Sequence, residues 1–340
     1  MLRLLAVAIS LLLGMHSALA EDAAPIRLDA GTDPATYCSR VQAAFTRGDF
    51  AALEITAQRA RSLENRFPGG KAELQIFYES FYKQSCNGNY SPLTEDGAKA
   101  RAAIAERWLG ENPNSMTAKI TNAMIWYSSA WAARGSGFAN EVSSSQWAVF
   151  ADRIKQAAQF MRNVDPDRDA QAYLVLLNLA RDLRVPRPQI DTIFRRAHER
   201  FPSYLEYYAD YATILLPKWF GAPGDISDYV RSLLDDPGGD LGAMAYSRAA
   251  ERIAWESGSP SGYRDAGLTW ENVRRGFALR ESRDGLNKPG WITLCYYAYM
   301  AGDREAAREA FRHITHIDEW PHGDTGDFFR TVLPWIMERD

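Results

Sequence analysis

Apolar and small residues recur at intervals of three and four positions through most of this chain. That spacing places them on one face of an α-helix, whereas a half-buried strand would show them at every second position. The segment that carries Met116, Ile120, Met124, Tyr127 and Trp131 is a clear example. Alternating segments are almost absent, so the pattern predicts an all-α protein.

Capping and breaking residues predict where the helices begin and end. Asp33-Pro34 is typical of an N-cap followed by proline at the first helical position, and Phe67-Pro68-Gly69-Gly70 breaks a helix. The predicted helices cover 34–47, 50–63, 71–85, 94–112, 116–131, 145–163, 168–183, 188–200, 203–216, 226–234, 239–256, 269–282, 289–301, 303–316 and 325–338.

The helices are arranged in pairs of a recognisable kind. Gly48-Asp49-Phe50 and Gly302-Asp303 each resemble the turn before the second helix of a tetratricopeptide repeat (TPR). A strict array would space its turn prolines evenly, which is not true of Pro68, Pro113, Pro166 and Pro202. We therefore expect a TPR-like stack of antiparallel helical hairpins, an α–α superhelix with irregular repeats.

The N-terminus has the three parts of a secretory signal peptide. Arg3 supplies the positive region, an apolar run extends from Leu4 to Leu13, and Ala18-Leu19-Ala20 is a cleavage site. We expect residues 1–20 to be removed and the protein to be exported, either to the periplasm of a Gram-negative cell or into the medium. Residues 21–33 then form a flexible leader, 34–235 a TPR-like helical domain, and 236–340 a C-terminal helical region that continues the stack.

Composition narrows the range of partners. The formal net charge is −4, and removal of the signal peptide makes it one unit more negative, which argues against nucleic acid. No later segment has the roughly 20 apolar residues of a membrane span, so none is expected. Aromatic residues make up 12% of the chain, enough for both a core and a recognition surface.

Export would allow a disulfide bond among Cys38, Cys86 and Cys295. Cys38–Cys86 is the expected pair, and Cys295 lies in an apolar run typical of a buried thiol. One consideration opposes the bond: if Cys38 begins one helix and Cys86 ends the second helix after it, regular stacking would place them at opposite ends. Both alternatives stay open at this stage.

Two segments resemble a bacterial family of exported TPR-like proteins that is catalogued only as a domain of unknown function. One begins at Trp131-Ala-Ala-Arg-Gly-Ser-Gly-Phe-Ala139, and the other is Leu215-Leu-Pro-Lys-Trp-Phe-Gly221 after Tyr207-Tyr208. The family more often has Arg before the second tryptophan and Gly after it, so Lys218 and Phe220 depart from its pattern. The resemblance covers about 35–235 and implies the helical-hairpin fold but no activity.

The loop from Arg134 to Ser145 is the first candidate binding site. It follows a strongly aromatic helix that ends near Trp131, and its glycines permit close backbone approach. The guanidinium of Arg134 can bind a carboxylate or phosphate, and Ser136, Asn140 and Glu141 add polar groups. The structural alternative is a tight turn in which Arg134 and Glu141 form an ion pair.

The second candidate is the turn after 203–216, where Lys218 and Trp219 offer a cation beside an aromatic ring. In the alternative interpretation, Trp219 only locks one hairpin to the next. Hairpins that place both loops at the same end of the stack would make one site of them. That hypothesis requires Arg134 and Trp219 to lie within roughly 20 Å, because a small-molecule site is rarely wider.

Other chemistry has weaker support. His313, His316 and His322 are weak candidates for a metal site, since they lack a ligand set at firm spacing. Motifs of metalloproteases, serine hydrolases and nucleotide-binding proteins are absent from the sequence. Glu206 and Asp210 share a helix face that is expected to face water. We therefore expect no cofactor and assign no catalytic residue.

The sequence favours a non-catalytic periplasmic protein that binds a protein or peptide partner on a TPR-like surface. A binder of small ligands or glycans is an alternative, and a helical cell-wall hydrolase with a carboxylate pair is a weaker one. The aromatic residues proposed as anchors, of which most should belong to the core, are Tyr78, Tyr82, Trp126, Tyr127, Trp131, Tyr207 and Tyr211.

Overall fold

The computed structural model of the protein describes residues 31, 33–86, 92–257, 262–314 and 328–338. These residues form an all-α stack in which neighbouring helices pack together, as the sequence predicts, and they contain no β-strand. The predicted signal peptide and all but two residues of the predicted leader lie outside the described residues.

The helices are α1 (Pro34–Arg47), α2 (Phe50–Ala60), α3 (Glu73–Tyr82), α4 (Glu95–Glu111), α5 (Met116–Arg134), α6 (Ser144–Met161), α7 (Ala170–Asp182), α8 (Arg187–Arg200), α9 (Glu206–Ile214), α10 (Asp225–Leu233), α11 (Gly239–Ser257), α12 (Gly262–Asp265), α13 (Trp270–Asp284), α14 (Lys288–Ala301), α15 (Arg304–Arg312) and α16 (Leu333–Met337). A 3₁₀ turn covers Pro166–Arg168, and π-helical turns cover Leu234–Gly238 and Phe328–Val332.

Side-chain caps explain most of the helix starts. The carboxylate of Asp33 accepts hydrogen bonds from the first free amides of α1, and Ser143 and Gln146 form a reciprocal capping box on α6. Gly48 ends α1 in the left-handed conformation, which glycine adopts without steric cost. Of the predicted helix 325–338, residues 325–327 lie outside the described residues. In the described part, Phe328–Val332 form a π-helical turn and the α-helix is confined to Leu333–Met337.

Alternate helices form an inner row. Along it, α3 packs on α5, α5 on α7, α7 on α9, α9 on α11 and α11 on α13, while α4, α6 and α8 pack outside it. The row curves back on itself. The amide of Gly69, before α3, donates to the carbonyl of Gly285, after α13, at 2.7 Å, and a side chain at Gly69 would collide with Asn287. The side of the row formed by α3, α5, α7, α9 and α11 is called the concave face.

Aromatic side chains fill the space between the first helices. Trp108 of α4 is fully buried and stacks on Phe50 with ring centroids 5.3 Å apart. Phe45 and Phe81 complete this cluster, which joins α1, α2, α3 and α4. These rings remove a large apolar area from water, and this burial supplies the main stabilisation of the N-terminal third.

A buried carboxylate links α2, α3 and α7. Asp169 accepts hydrogen bonds from Arg61 at 2.7 Å, from the hydroxyl of Tyr78 at 2.8 Å and from the amide of Gln171 at 2.9 Å. Burial raises the pKa of Asp169 above its ordinary value even though all three donors oppose the shift. The three contacts fix the position of α7 against the N-terminal helices.

Cys38 and Cys86 form a disulfide bond, with Cα atoms 5.7 Å apart, and Cys295 is a buried free thiol. The argument against this pair assumed that Cys86 ends a helix, but α3 already ends at Tyr82. Lys83 is extended, and its carbonyl accepts a hydrogen bond from Gln42, which lies one turn after Cys38 on α1. Residues 83–86 therefore run back along α1 to its N-terminal end.

Within the described residues, no helix is both long enough and apolar enough to cross a lipid bilayer.

The disulfide gives a first prediction. Cys38→Ser/Cys86→Ser should lower the free energy of unfolding by about 4 kcal/mol, since the bond closes a loop with a sequence separation of 48 in the unfolded chain. Urea unfolding of the oxidised protein would measure this difference. Reductant should destabilise the wild type to the same level and leave the double variant unchanged. Equal stabilities under oxidising conditions would contradict the prediction.

Close packing of α13 on α11 gives a second prediction. A side chain at Gly276 would lie 2.2 Å from the carbonyl oxygen of Ala243, so Gly276→Ala should cost roughly 1–3 kcal/mol of unfolding free energy. Gly110→Ala is the matched control, because a side chain there meets no atom within 4 Å. In α4 that change should stabilise by roughly 0.5–1 kcal/mol. Urea unfolding of both variants tests the contrast, and similar effects would contradict it.

Candidate functional site

The concave face encloses a cavity of about 1090 Å³. All five of its helices contribute side chains to the lining, together with residues 135–139, Trp147 and Phe150 of α6, Arg184 after α7, and the turn after α9. The lining mixes aromatic rings with carboxylates and guanidinium groups. Two aromatic side chains of the lining are largely exposed: Phe138 is 79% exposed and Trp255 is 71% exposed.

The two loops singled out by the sequence lie together on this cavity. The guanidinium of Arg134 lies 5.7 Å from the ring centre of Trp131, and that ring is 6.5 Å from the ring of Trp219. Arg134 and Trp219 are therefore well within the roughly 20 Å that a single site requires. The hairpins place both loops at the same end of the stack.

Arginine and aromatic side chains alternate along this end of the cavity. Each guanidinium lies within 6 Å of a ring centre, a distance at which the positive charge is attracted to the π-electrons. The contacts form one continuous series, called the arginine–tryptophan ladder here. In spatial order it consists of Trp147, Arg134, Trp131, Arg181, Trp219, Arg184 and Phe220.

Arg181 holds the middle of the ladder. Its side chain donates to Asp182 at 2.8 Å and to the hydroxyl of Tyr127 at 2.9 Å, and Trp131 donates to the same carboxylate at 2.9 Å. Burial raises the pKa of Tyr127, so this hydroxyl stays protonated at neutral pH. These bonds tie α5 to α7 and fix the rings of the ladder.

In the first loop, Arg134 and Glu141 make contacts with the backbone rather than with each other. Arg134 donates to the carbonyls of Gly135 and Gly137, while the carboxylate of Glu141 accepts from the amide of Phe138 at 2.6 Å. Gly135 has a positive φ of +78°, which glycine adopts without steric cost. The Arg134–Glu141 pair of the structural alternative does not form, and Arg134 lies on the cavity instead.

Most of the predicted site residues reach the cavity. Asn140 and Glu141 are exposed and do not line it. Lys218 lines it but forms an ion pair with Glu256 at 2.8 Å, so the cations over Trp219 are Arg181 and Arg184 rather than Lys218. The predicted residues that do line the cavity are Trp131, Arg134, Ser136, Lys218 and Trp219.

The prediction that Glu206 and Asp210 face bulk water is wrong. Both line the cavity, because α9 belongs to the inner row. Asp210 forms an ion pair with Arg252 at 3.0 Å and accepts from Asn178 at 2.7 Å. Glu206 is only 6% exposed, its nearest base is Arg248 at 3.7 Å, and neither carboxylate oxygen has a hydrogen-bond partner.

The environment of Glu206 argues against acid catalysis. Burial raises the pKa of its carboxyl group, with Arg248 and Arg66 opposing the shift. A raised pKa suits a general acid, but such an acid must come within hydrogen-bond reach of its substrate. Both carboxylate oxygens of Glu206 are shielded from solvent. The pair Glu206 and Asp210 therefore lacks the accessibility that a glycosidase requires.

The predicted aromatic anchors divide between core and cavity. Tyr78, Tyr207 and Tyr211 are buried in the core, and Trp126 packs against it without lining the cavity. The three that line the cavity are Tyr82, Tyr127 and Trp131. Sequence reasoning missed Phe138 and Trp255, since periodicity cannot reveal which aromatic side chain points into a concavity.

The histidine cluster gains no support as a metal site. His313 stacks on Trp291 with ring centroids 3.8 Å apart and lies 3.5 Å from Glu309. His316 and His322 lie outside the described residues. Where the chain is described, no three His, Cys, Asp or Glu side chains come together in a way that would hold a metal ion.

The buried Glu206 predicts a pH effect. Because the folded protein binds this proton more tightly than the unfolded chain, the contribution of Glu206 to stability should fall as pH rises through the raised pKa. Glu206→Gln should remove that loss, so the variant should gain stability over the wild type as pH increases. Urea unfolding from below the ordinary glutamate pKa, about 4.3, up to neutral pH tests this.

Glu281→Gln, a change at an exposed position, controls for the loss of one negative charge. If the unfolding free energy of Glu206→Gln minus that of the wild type stays constant or falls as pH rises, the assignment is contradicted.

Searches against protein-family models, curated proteins and solved structures find no match for this chain. The resemblance to an exported TPR-like family stays a prediction, and a function has to be argued from the cavity itself.

Proposed function

We propose that this protein is a non-catalytic binding protein that holds a short segment of a partner polypeptide in the cavity of its concave face. The observation that carries the proposal is the cavity itself, about 1090 Å³ in volume and lined by consecutive helices of the inner row. Concave faces of stacked helical hairpins commonly bind extended peptides.

The size and lining of the cavity support a polypeptide ligand. Small-molecule sites usually occupy about 300–1000 Å³, so this cavity, at about 1090 Å³, is slightly larger than that range. Exposed aromatic side chains often anchor a protein partner, and Phe138 and Trp255 are in place to do so. A lining of both charge signs also suits a peptide, which presents amides and charged side chains together.

A glycan ligand is less well supported. A sugar that binds to tryptophan packs against an open face of the indole ring. Guanidinium groups already lie over the rings of Trp131 and Trp219, at 4.6–5.7 Å from the ring centres. Hydrolysis of cell-wall glycans is less well supported still, since the oxygens of Glu206 are shielded from solvent.

We also propose that the protein acts outside the cytoplasm, in the periplasm of a Gram-negative cell. The signal-like sequence before residue 21 and the bond between Cys38 and Cys86 both favour this location. Disulfides persist in oxidising compartments and are rare in the cytosol.

Site-specific photocrosslinking in the source cell tests the proposed function. A photoreactive amino acid at Phe138, inside the cavity, should form a covalent adduct that contains a defined polypeptide segment. Val149 is the matched control, because it is 39% exposed on α6 but does not line the cavity. Mass spectrometry of the adducts identifies the bound segment.

Three results would count against the proposal. Similar adducts from both positions would indicate non-specific contact, and no adduct from a folded Phe138 variant would leave the cavity without a ligand. An adduct with a non-peptide mass would support the small-ligand alternative instead.

A further inference from the structure

We propose that the peptide segment held in the cavity is acidic, and that its carboxylate groups bind Arg134 and Arg184. This inference rests on the proposed function and names the chemistry that the cavity recognises. The carboxylate can belong to an Asp or Glu side chain or to the C-terminus of the partner chain.

The argument begins with the charges that line the cavity. Each lining carboxylate has a basic partner within 4 Å. The ion pairs are Arg181–Asp182, Lys218–Glu256, Arg252–Asp210, Arg248–Glu206, Lys71–Glu79 and Lys83–Glu79. The negative charges of the cavity are therefore compensated by the protein itself.

Two cations remain after this pairing. Neither Arg134 nor Arg184 has a carboxylate within 4 Å among the described residues, although both line the cavity. Arg134 donates to two carbonyls through one terminal nitrogen, while its buried Nε has no hydrogen-bond partner. The cavity thus carries two guanidinium groups whose charge nothing in its lining neutralises.

The ladder holds these two groups in place for an anion. Arg134 lies between Trp131 and Trp147, at 5.7 and 5.3 Å from the ring centres. Arg184 lies over Trp219 at 5.4 Å. Contact with a ring face uses no N–H group, so a guanidinium held in this way can still donate to a carboxylate. In Arg134 the donor is the second terminal nitrogen, because the first donates to the loop carbonyls and Nε is buried. The rings therefore fix the arginines without using up their donors.

The backbone conformation at Arg184 supports a functional role for its side chain. Its φ of +57° lies in the left-handed region, at the position after a helix where glycine is usual. Such a backbone costs an arginine conformational energy that a glycine would avoid. The ladder contact over Trp219 places the guanidinium at the cavity, which a glycine could not do.

Selection from a display library of random short peptides tests the inference, with the disulfide-bonded full chain as bait. We expect enrichment of Asp and Glu, or of peptides that need a free C-terminal carboxylate. Resynthesis of the best peptide with an amidated C-terminus, and separately with Asn and Gln for Asp and Glu, distinguishes the two sources of the anion.

Variants then assign the site. Arg184→Gln should weaken binding of the selected peptide roughly tenfold, the loss expected for a charged hydrogen bond. Arg134→Gln should do the same, but Arg184→Gln is the cleaner test because Arg134 also braces its own loop. Arg195→Gln/Arg196→Gln is the control, since both residues are exposed on α8 and neither lines the cavity. It should leave the affinity unchanged.

The outcomes separate this inference from the proposed function. Peptides enriched without any acidic preference, or bound equally by Arg184→Gln and the wild type, would overturn the inference while the peptide-binding function stands. No enrichment on folded wild-type protein would overturn the function and the inference with it. Equal loss in the α8 control would show that only net charge matters, and would also overturn the assigned site.

Discussion

Polar contacts between successive inner helices hold the concave face together. Trp131 of α5 donates to Asp182 at the end of α7, Asn178 of α7 donates to Asp210 of α9, and Asp210 pairs with Arg252 of α11. Because each contact bridges two neighbouring helices, the same polar groups join the inner row and fix side chains that line the cavity.

This arrangement explains why the cavity contains so many charged groups without being strongly charged. Removing a carboxylate from water costs free energy unless a partner compensates it. Asp169 and Glu206 show the cost, since burial raises the pKa of each even though arginines lie nearby. The paired acids thus serve mainly to join helices, and the uncompensated charges are Arg134 and Arg184, two of the three arginines of the ladder.

The elements of the fold could be predicted from the sequence because their signals are local. Periodic apolar residues give the helices, and caps such as Asp33-Pro34 give their starts. The cavity could not be predicted in the same way. That Glu206 and Asp210 share a helix face follows from their spacing, but which surface that face meets depends on how α9 packs against α7 and α11. The disulfide was undecided for a similar reason, since an extended return segment leaves no periodic signal.

The candidate site was predicted in part, because its glycines and aromatic residues are conspicuous in two loops. Arg181 and Arg184 were missed, since an arginine near a helix end is ordinary in a sequence and gains meaning only beside Trp219. Their packing also bears on how the cavity would bind. A flexible arginine loses side-chain entropy when a ligand immobilises it, whereas one already stacked on a ring has lost most of that freedom. Under the proposed function, the ladder would therefore lower the entropic cost of binding, and guanidinium groups held in fixed positions would select a ligand by the positions of its carboxylates as well as by its charge.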